Sequence, residues 1–252
     1  MAFETPVTHD TRFVELCGTC NARDLGGLPL VRGGVTRGGR YFRADAPLRV
    51  DDGDADALLA LGVTTVLDLR EPGEVGREPS ALADHPGLTV VYVDIWSGLR
   101  AAHAARGRPR DPWDLAVLYT TALDHAGPEF ASALEHLAAA EGAALFHCTV
   151  GKDRTGLLAA LLLESVGVAR ETILEDYALT HDRIDAVRVR LLAQSAERGV
   201  RREDHARLLG ATPDVLAHAL SHLDREHGGV RAYLLRAGAE AATLARIEER
   251  LT

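Results

Sequence analysis

Lysine is nearly absent from this chain of 252 residues: among 28 basic side chains, Lys152 is the one lysine and the rest are arginines. Cysteine is scarce too, and three thiols cannot form the framework that staples small secreted domains. A chain this long can bury a full core without staples, so a reduced, cytoplasmic setting is expected, with secretion independent of a classical signal as the alternative. Long apolar runs are also missing. The longest, Leu157 to Leu163, stops at Glu164, and the opening MAFETPVTHDTRF has no basic start followed by an apolar stretch. Neither a membrane span nor a signal peptide is therefore expected. The formal charge of -9 argues against broad, non-specific attraction to nucleic acid or anionic lipid, and no nucleic-acid partner is expected, because a polyanion is repelled before local contacts form. An anionic substrate must be caught by a local pocket.

What is present reads as a single domain over residues 1–252, without repeats or low-complexity segments. The first 50 residues are rich in glycine turns that separate short apolar pieces such as Tyr41-Phe42, which suits short strands and loops. Asp51 to Leu61 predicts a helix stopped by Gly62. Val63 to Leu69 and Leu88 to Val93 predict two buried strands, the first followed by a turn at Glu71 to Glu74 and the second by an arginine-rich loop to about Pro112. Helical spacing follows over Trp113 to Leu123 and Pro128 to Ala140, then a strand over Ala143 to His147 and an apolar helix over Leu157 to Val166. Beyond Gly167 the pattern is helical throughout. Strands that alternate with helices and then give way to helices alone imply an α/β fold: a mostly parallel central sheet flanked by helices, with a helical C-terminal part.

Chemistry concentrates where the strand ending at His147 meets the apolar helix. Cys148-Thr149-Val150-Gly151-Lys152-Asp153-Arg154-Thr155-Gly156 sets a cysteine and an arginine at the two ends of a C-x5-R loop. The loop amides and the helix N-terminus offer unpaired donors of one sign, a cradle for an anion. The planar fork of Arg154 can bind two phosphate oxygens at once, which a lysine cannot do. Helix N-termini and nearby cations depress cysteine pKa values into roughly the 3.5 to 7.5 range, so Cys148 is expected to be a ready thiolate nucleophile. Attack on phosphorus would give a phosphocysteine, released later as inorganic phosphate, with Thr155 donating its hydroxyl to the departing sulfur. No metal or cofactor is called for. A Walker loop is excluded, since Gly151-Lys152 is followed by Asp153 and no glycine stands at Phe146.

His147 to Gly156 resembles the signature loop of cysteine-dependent protein tyrosine phosphatases. Its Gly-Lys-Asp-Arg-Thr-Gly form is similar to the bacterial and fungal branch that includes the mycobacterial PtpB-like tyrosine and phosphoinositide phosphatases. Further segments agree in the same order: Asn21 to Gly27, Phe42 to Asp45, Thr65 to Arg70 and Asp176 to Thr180. The resemblance implies a phosphatase-type fold, a charged helical lid for which residues 181–210 are the candidate, and a phosphotyrosine protein or phosphoinositide as substrate.

The proton donor for the leaving oxygen is ambiguous at this level. The Trp-Pro-Asp loop of classical tyrosine phosphatases is missing; Asp111-Pro112-Trp113-Asp114 only shuffles its letters. The resemblance favours Asp153, and Asp94, at the end of a predicted strand, is the second candidate. Thr149, Val150, Gly151, Lys152, Thr155 and Asp94 are the expected substrate-binding residues, with Lys152 as a mobile charge at the pocket rim able to meet a second phosphate. His147 is expected to orient the loop. Cys17-Gly18-Thr19-Cys20 is read as two incidental cysteines, with a disulfide protecting the catalytic thiol as the alternative, and the eleven histidines show no ligand spacing. Two rival functions remain. A sulfurtransferase or arsenate reductase also uses a thiolate in an anion cradle, but Arg154-Thr155-Gly156 speaks against it. A catalytically weak phosphate-binding module on the same fold would not need the intact cysteine, arginine and threonine.

Overall fold

A computed structural model describes residues 12–107, 111, 114–197, 199 and 201–252. Its strands are β1 (Arg23–Asp24), β2 (Tyr41–Ala44), β3 (Val63–Asp68), β4 (Thr89–Tyr92) and β5 (Ala143–His147). They form one sheet in the order β1-β2-β5-β3-β4, parallel throughout except for β1, which pairs antiparallel with β2. Alternation along the strands divides the core between two faces. Ala143 and Leu145 of β5 join Val63, Val66 and Phe42 on the side of α1 (Asp52–Ala60), whereas Ala144 and Phe146 join Leu67 and Tyr41 in the larger core. That larger core is built with α4 (Leu115–His125), α5 (Gly127–Ala139) and α6 (Asp153–Ser165).

Helix α6 is buried on every side from Arg154 to Leu163, as expected of an apolar run held between a sheet and further helices. After it come α7 (Arg170–Ala178), α8 (Thr180–Arg183), α9 (Asp185–Glu197), α10 (Arg202–Leu208), α11 (Pro213–His227), α12 (Val230–Arg236) and α13 (Ala241–Leu251). The C-terminal part is thus helical, and among the described residues no helix is long and apolar enough to cross a membrane.

Three local expectations need correction. The strand over 88–93 is only partly buried: Leu88 and Val93 enter the cores, but β4 is an edge strand with Thr89 and Tyr92 exposed, because no neighbour covers its outer side. The turn at 71–74 opens a short helix, α2 (Pro72–Arg77), with Pro72 in its first turn, and the Glu71 N–H donates to Glu74 Oε2 at 3.1 Å. The arginine-rich loop is largely α3 (Ser97–Arg106), whose alanines favour helix and whose Leu99 anchors in the larger core. Trp113, where the next helix was expected to begin, lies outside the described residues.

Candidate active site

Strand β5 delivers the Cys148 loop to the carboxyl edge of the sheet, where ligand sites of open parallel sheets lie. Residues Cys148 to Lys152 then turn back into α6. The turn depends on Gly151, which has φ 71° and whose added Cβ would lie 2.5 Å from the Ala44 carbonyl oxygen. Gly156 lets α6 approach α7 closely, since a Cβ there would meet the Tyr177 ring at 2.9 Å.

Below the loop lies a buried polar network. Asn21 Nδ2 donates to the carbonyls of Val150 at 3.4 Å and Gly151 at 3.3 Å, and Arg43 Nη2 donates to Gly151 at 2.9 Å. Asp176 of α7 anchors the cations. It accepts from Arg12 at 2.9 Å, from Arg23 at 3.1 Å and from Arg43 at 2.7 Å, while Arg23 Nη1 also donates to Asn21 Oδ1 at 2.5 Å. Burial pushes the Asp176 carboxyl up, but three guanidiniums outweigh it and hold the group far below the usual range. Apart from Arg12, these are residues of the segments 21–27, 42–45 and 176–180. Their shared purpose is to hold the carbonyl side of the phosphate loop. On the other side, no acceptor among the described residues takes the N–H of Thr149, Val150, Gly151 or Lys152.

Cys148 is buried at the mouth of this loop, and Arg154 at its far end is set by Glu74 of α2. The Glu74 carboxylate accepts from Arg154 Nη1 at 2.5 Å, from Arg154 Nη2 at 2.8 Å and from the Thr149 hydroxyl at 2.5 Å. That clamp uses the end of the guanidinium. Its side edge remains, with Nε buried and without a hydrogen-bond partner, and the ring of Trp96 lies 5.7 Å from the guanidinium carbon. Burial works against the charge of Arg154, but the Glu74 bond and the fields of Cys148, Glu74 and Asp153 more than offset it and raise its pKa. Burial likewise pushes Glu74 up, yet Arg154 and Thr149 bring it down to about 2. A depressed carboxylate stabilises the fold above its ordinary value of 4.5, and the contribution is lost as pH falls from there toward about 2. The clamp is therefore intact in any neutral assay. Glu74→Gln is expected to leave the fold standing and cut kcat by about 10²-fold through misplacement of Arg154. Wild-type kcat in that variant would show that the arginine needs no aiming.

Neither Glu74 nor Trp96 was singled out by sequence reasoning. The only local trace of Glu74 was its place after Pro72, which marks a helix start and not a catalytic partner.

The carboxylates of the two acid candidates differ in their partners. Asp153, at the start of α6, accepts at Oδ1 from the Tyr119 hydroxyl at 2.7 Å, and Lys152 Nζ is 3.1 Å from the same oxygen. Among the described residues no hydrogen bond or ion pair is made to Oδ2. Asp94, in contrast, has both oxygens on Arg100, one at 3.0 Å from Nη1 and the other close to Nη2.

Lys152 is not the mobile rim charge that the sequence suggested. It is fully buried, and its ammonium donates to the carbonyls of Leu208 and Gly210, the latter at 2.9 Å. An ammonium in an apolar setting needs such acceptors, and the end of α10 supplies them. The Thr155 hydroxyl is buried and has no hydrogen-bond partner, so the expected bond to sulfur is not made in this state. Its position one residue past Arg154, inside the first turn of α6, leaves that donor unspent.

His147 does less than expected. Its Nδ1 lies 3.3 Å from the Cys148 carbonyl, and Nε2 makes no hydrogen bond but faces Asp68 Oδ2 at 3.8 Å; burial outweighs that carboxylate and lowers the pKa to about 4, leaving the ring neutral. Cys17 and Cys20 are free thiols. Burial and the Asp45 carboxylate push the Cys20 thiol up to about 12, which removes it as a nucleophile or redox partner at neutral pH.

Parts of the expected lid lie against the loop. Ile184 and Val187 pack on Val150, and Arg190 reaches Glu78 at 2.6 Å. A groove of about 470 Å³ runs beside them, bordered by Cys20, Asp45, Arg49, Val187 and Arg190, without Cys148 in its wall.

Comparison with known proteins identifies the family. The model of the tyrosine phosphatase family matches residues 14–252. A tyrosine-protein phosphatase of Nostoc commune is 32% identical over 212 residues, which cover 81% of this chain and 71% of that one. The triple specificity protein phosphatase PtpB of Mycobacterium tuberculosis is 30% identical over 270 residues, covering 92% of this chain and 96% of its own. With a cysteine, an arginine fork and unspent amides brought to one sheet edge, and relatives aligned over most of its length, this chain belongs to the tyrosine phosphatase family.

Proposed function

We propose that the chain hydrolyses phosphomonoesters, phosphotyrosine in proteins first among them, through a phosphocysteine on Cys148. The proposal rests above all on the buried, unpartnered Nε edge of Arg154, aimed by Glu74 and joined by the free amides of Thr149 to Lys152. Two equatorial phosphoryl oxygens fit the Arg154 edge, and the amides take the rest of the charge. The Cys148 sulfur attacks phosphorus in line, the P–O bond to the leaving group breaks, and Asp153 gives the leaving oxygen its proton from Oδ2. Water then attacks phosphorus while Asp153 takes its proton, the S–P bond breaks, and the Thr155 hydroxyl donates to the departing sulfur. Helices α9 and α10 act as a lid over the loop, held to it by Val187 on Val150 and by the Lys152 ammonium on the Leu208 carbonyl.

Phosphoinositides are the second substrate class, and Lys152 decides their rank. A second phosphate could use that ammonium only after it leaves the carbonyls of Leu208 and Gly210, so phosphotyrosine is expected to be turned over faster. Acid quenching during turnover of a phosphotyrosine peptide should leave one phosphoryl group on the peptide that contains Cys148. A label elsewhere, or no hydrolysis of any aryl phosphate, would overturn the scheme.

The acid is tested by leaving group. Asp153→Asn is expected to lose about 10²- to 10⁴-fold in kcat on phosphotyrosine. The loss on nitrophenyl phosphate, whose leaving group needs no proton, should be much smaller. Asp94→Asn should stay near wild type on both; if it alone shows the leaving-group dependence, Asp94 is the proton donor.

A further inference from the structure

Far from the phosphate loop in sequence, the packing of α11 on α4 brings together two imidazoles and a carboxylate. His222 Nε2 is 2.7 Å and His227 Nε2 is 3.0 Å from the same oxygen of Asp124, and the three donor atoms all lie within 4.8 Å of one another. Two neutral nitrogens and one carboxylate oxygen are a donor set of zinc and its neighbours in the first transition row, with room for water as fourth ligand. Around a tetrahedral zinc these atoms would sit about 3.3 Å apart, so each imidazole needs to withdraw from Asp124 by only a few tenths of an ångström.

The surroundings favour a cation. Asp124 sits in the last turn of α4 and His227 ends α11, so the negative ends of two helix dipoles face the site. The imidazoles are shielded, with side-chain exposures of 15% and 22%, and the His227 ring is braced edge-on against Tyr233 at 5.2 Å between centroids. The nearby Asp224 is taken by Arg170 at 2.7 Å and is not part of the set. Arg236 spends its bond on the His227 carbonyl.

We propose that Asp124, His222 and His227 bind a divalent transition-metal ion, zinc foremost, which staples α11 to α4. The spacing of His222 and His227 is not the i, i+4 pair of a helical metal motif, and Asp124 lies 98 residues before His222, so no sequence pattern announced the site.

The test uses the full, tag-free, metal-free chain, titrated with Co²⁺ as a spectroscopic probe and with Zn²⁺ while the melting temperature is followed. One equivalent of Co²⁺ should produce visible d–d bands without the near-ultraviolet thiolate-to-cobalt band, and Zn²⁺ should raise the melting temperature. Both responses should be lost in His222→Gln/His227→Gln and in Asp124→Asn, with circular dichroism and phosphatase activity of the metal-free variants used to confirm that they fold. If the double variant fails to fold, Asp124→Asn alone decides. Bands that persist in the variants, a thiolate band showing capture by Cys17, Cys20 or Cys148, or no response in the wild type would each overturn the proposal and leave two histidine–aspartate hydrogen bonds between the helices.

Discussion

Asp176→Ala is expected to cost about 3–5 kcal/mol of stability, the scale set by breaking a buried ion pair from one side. The carboxylate is 1% exposed and is the shared counter-charge of Arg12, Arg23 and Arg43, themselves 6%, 0% and 1% exposed. Removing it leaves three guanidiniums in a poorly hydrated space with like charge nearby. Burial and the neighbouring Arg43 already work against the charge of Arg23 even with Asp176 in place. Since the stability of a domain is only about 5–15 kcal/mol, such a loss is a large part of the total. Urea unfolding should show a lower midpoint at unchanged slope. Asp176→Asn, which keeps acceptors but not charge, should fall between the variant and wild type. An unchanged midpoint in Asp176→Ala would mean that water or a rearranged side chain already balances the arginines. The effect should reach function as well, because Arg43 also holds the Gly151 carbonyl of the phosphate loop.

Cys148→Ser should abolish turnover, with a loss on the order of 10⁶-fold, as when other covalent enzymes lose their nucleophile. The size of the effect follows from what stands beside the sulfur. His147 is buried with its pKa lowered to about 4, and its ring meets the Cys148 carbonyl and not the side chain, so it is a poor base for a serine hydroxyl, and in the proposed scheme Asp153 serves as the acid of that step. A thiol can ionise in an anion cradle where an alcohol cannot. Oxygen for sulfur changes little in volume, so melting temperature and phosphotyrosine-peptide affinity should survive. Turnover comparable to wild type, with retained burst behaviour, would sink Cys148 as nucleophile. Loss of folding together with activity would instead point to a packing role in the core it borders.

How much of this was legible before the fold was known depends on the distance over which each feature is decided. The phosphate loop was readable because Cys148, Gly151, Arg154 and Thr155 lie within one strand–loop–helix unit, and backbone direction alone brings them to one place. Strands β3 and β5 and helix α6 were readable from apolar runs and glycine stops. Helix α3 was missed because its arginines resemble loop composition, although its alanines favour helix. The edge position of β4 could not be read, because alternation in one strand does not say which neighbour it lacks.

By itself, then, the order of residues determined the chemistry, since a nucleophile and an anion fork at the two ends of a short loop need no distant help to be near each other. Only the tertiary structure decided who controls them. Glu74 stands 80 residues from the arginine it clamps, Asp176 lies 153 residues from Arg23, and Lys152 turned from a rim charge into a buried latch on carbonyls 56 and 58 residues away. A buried charge must find its partner wherever the chain happens to pass, and that choice is made by packing, not by sequence spacing.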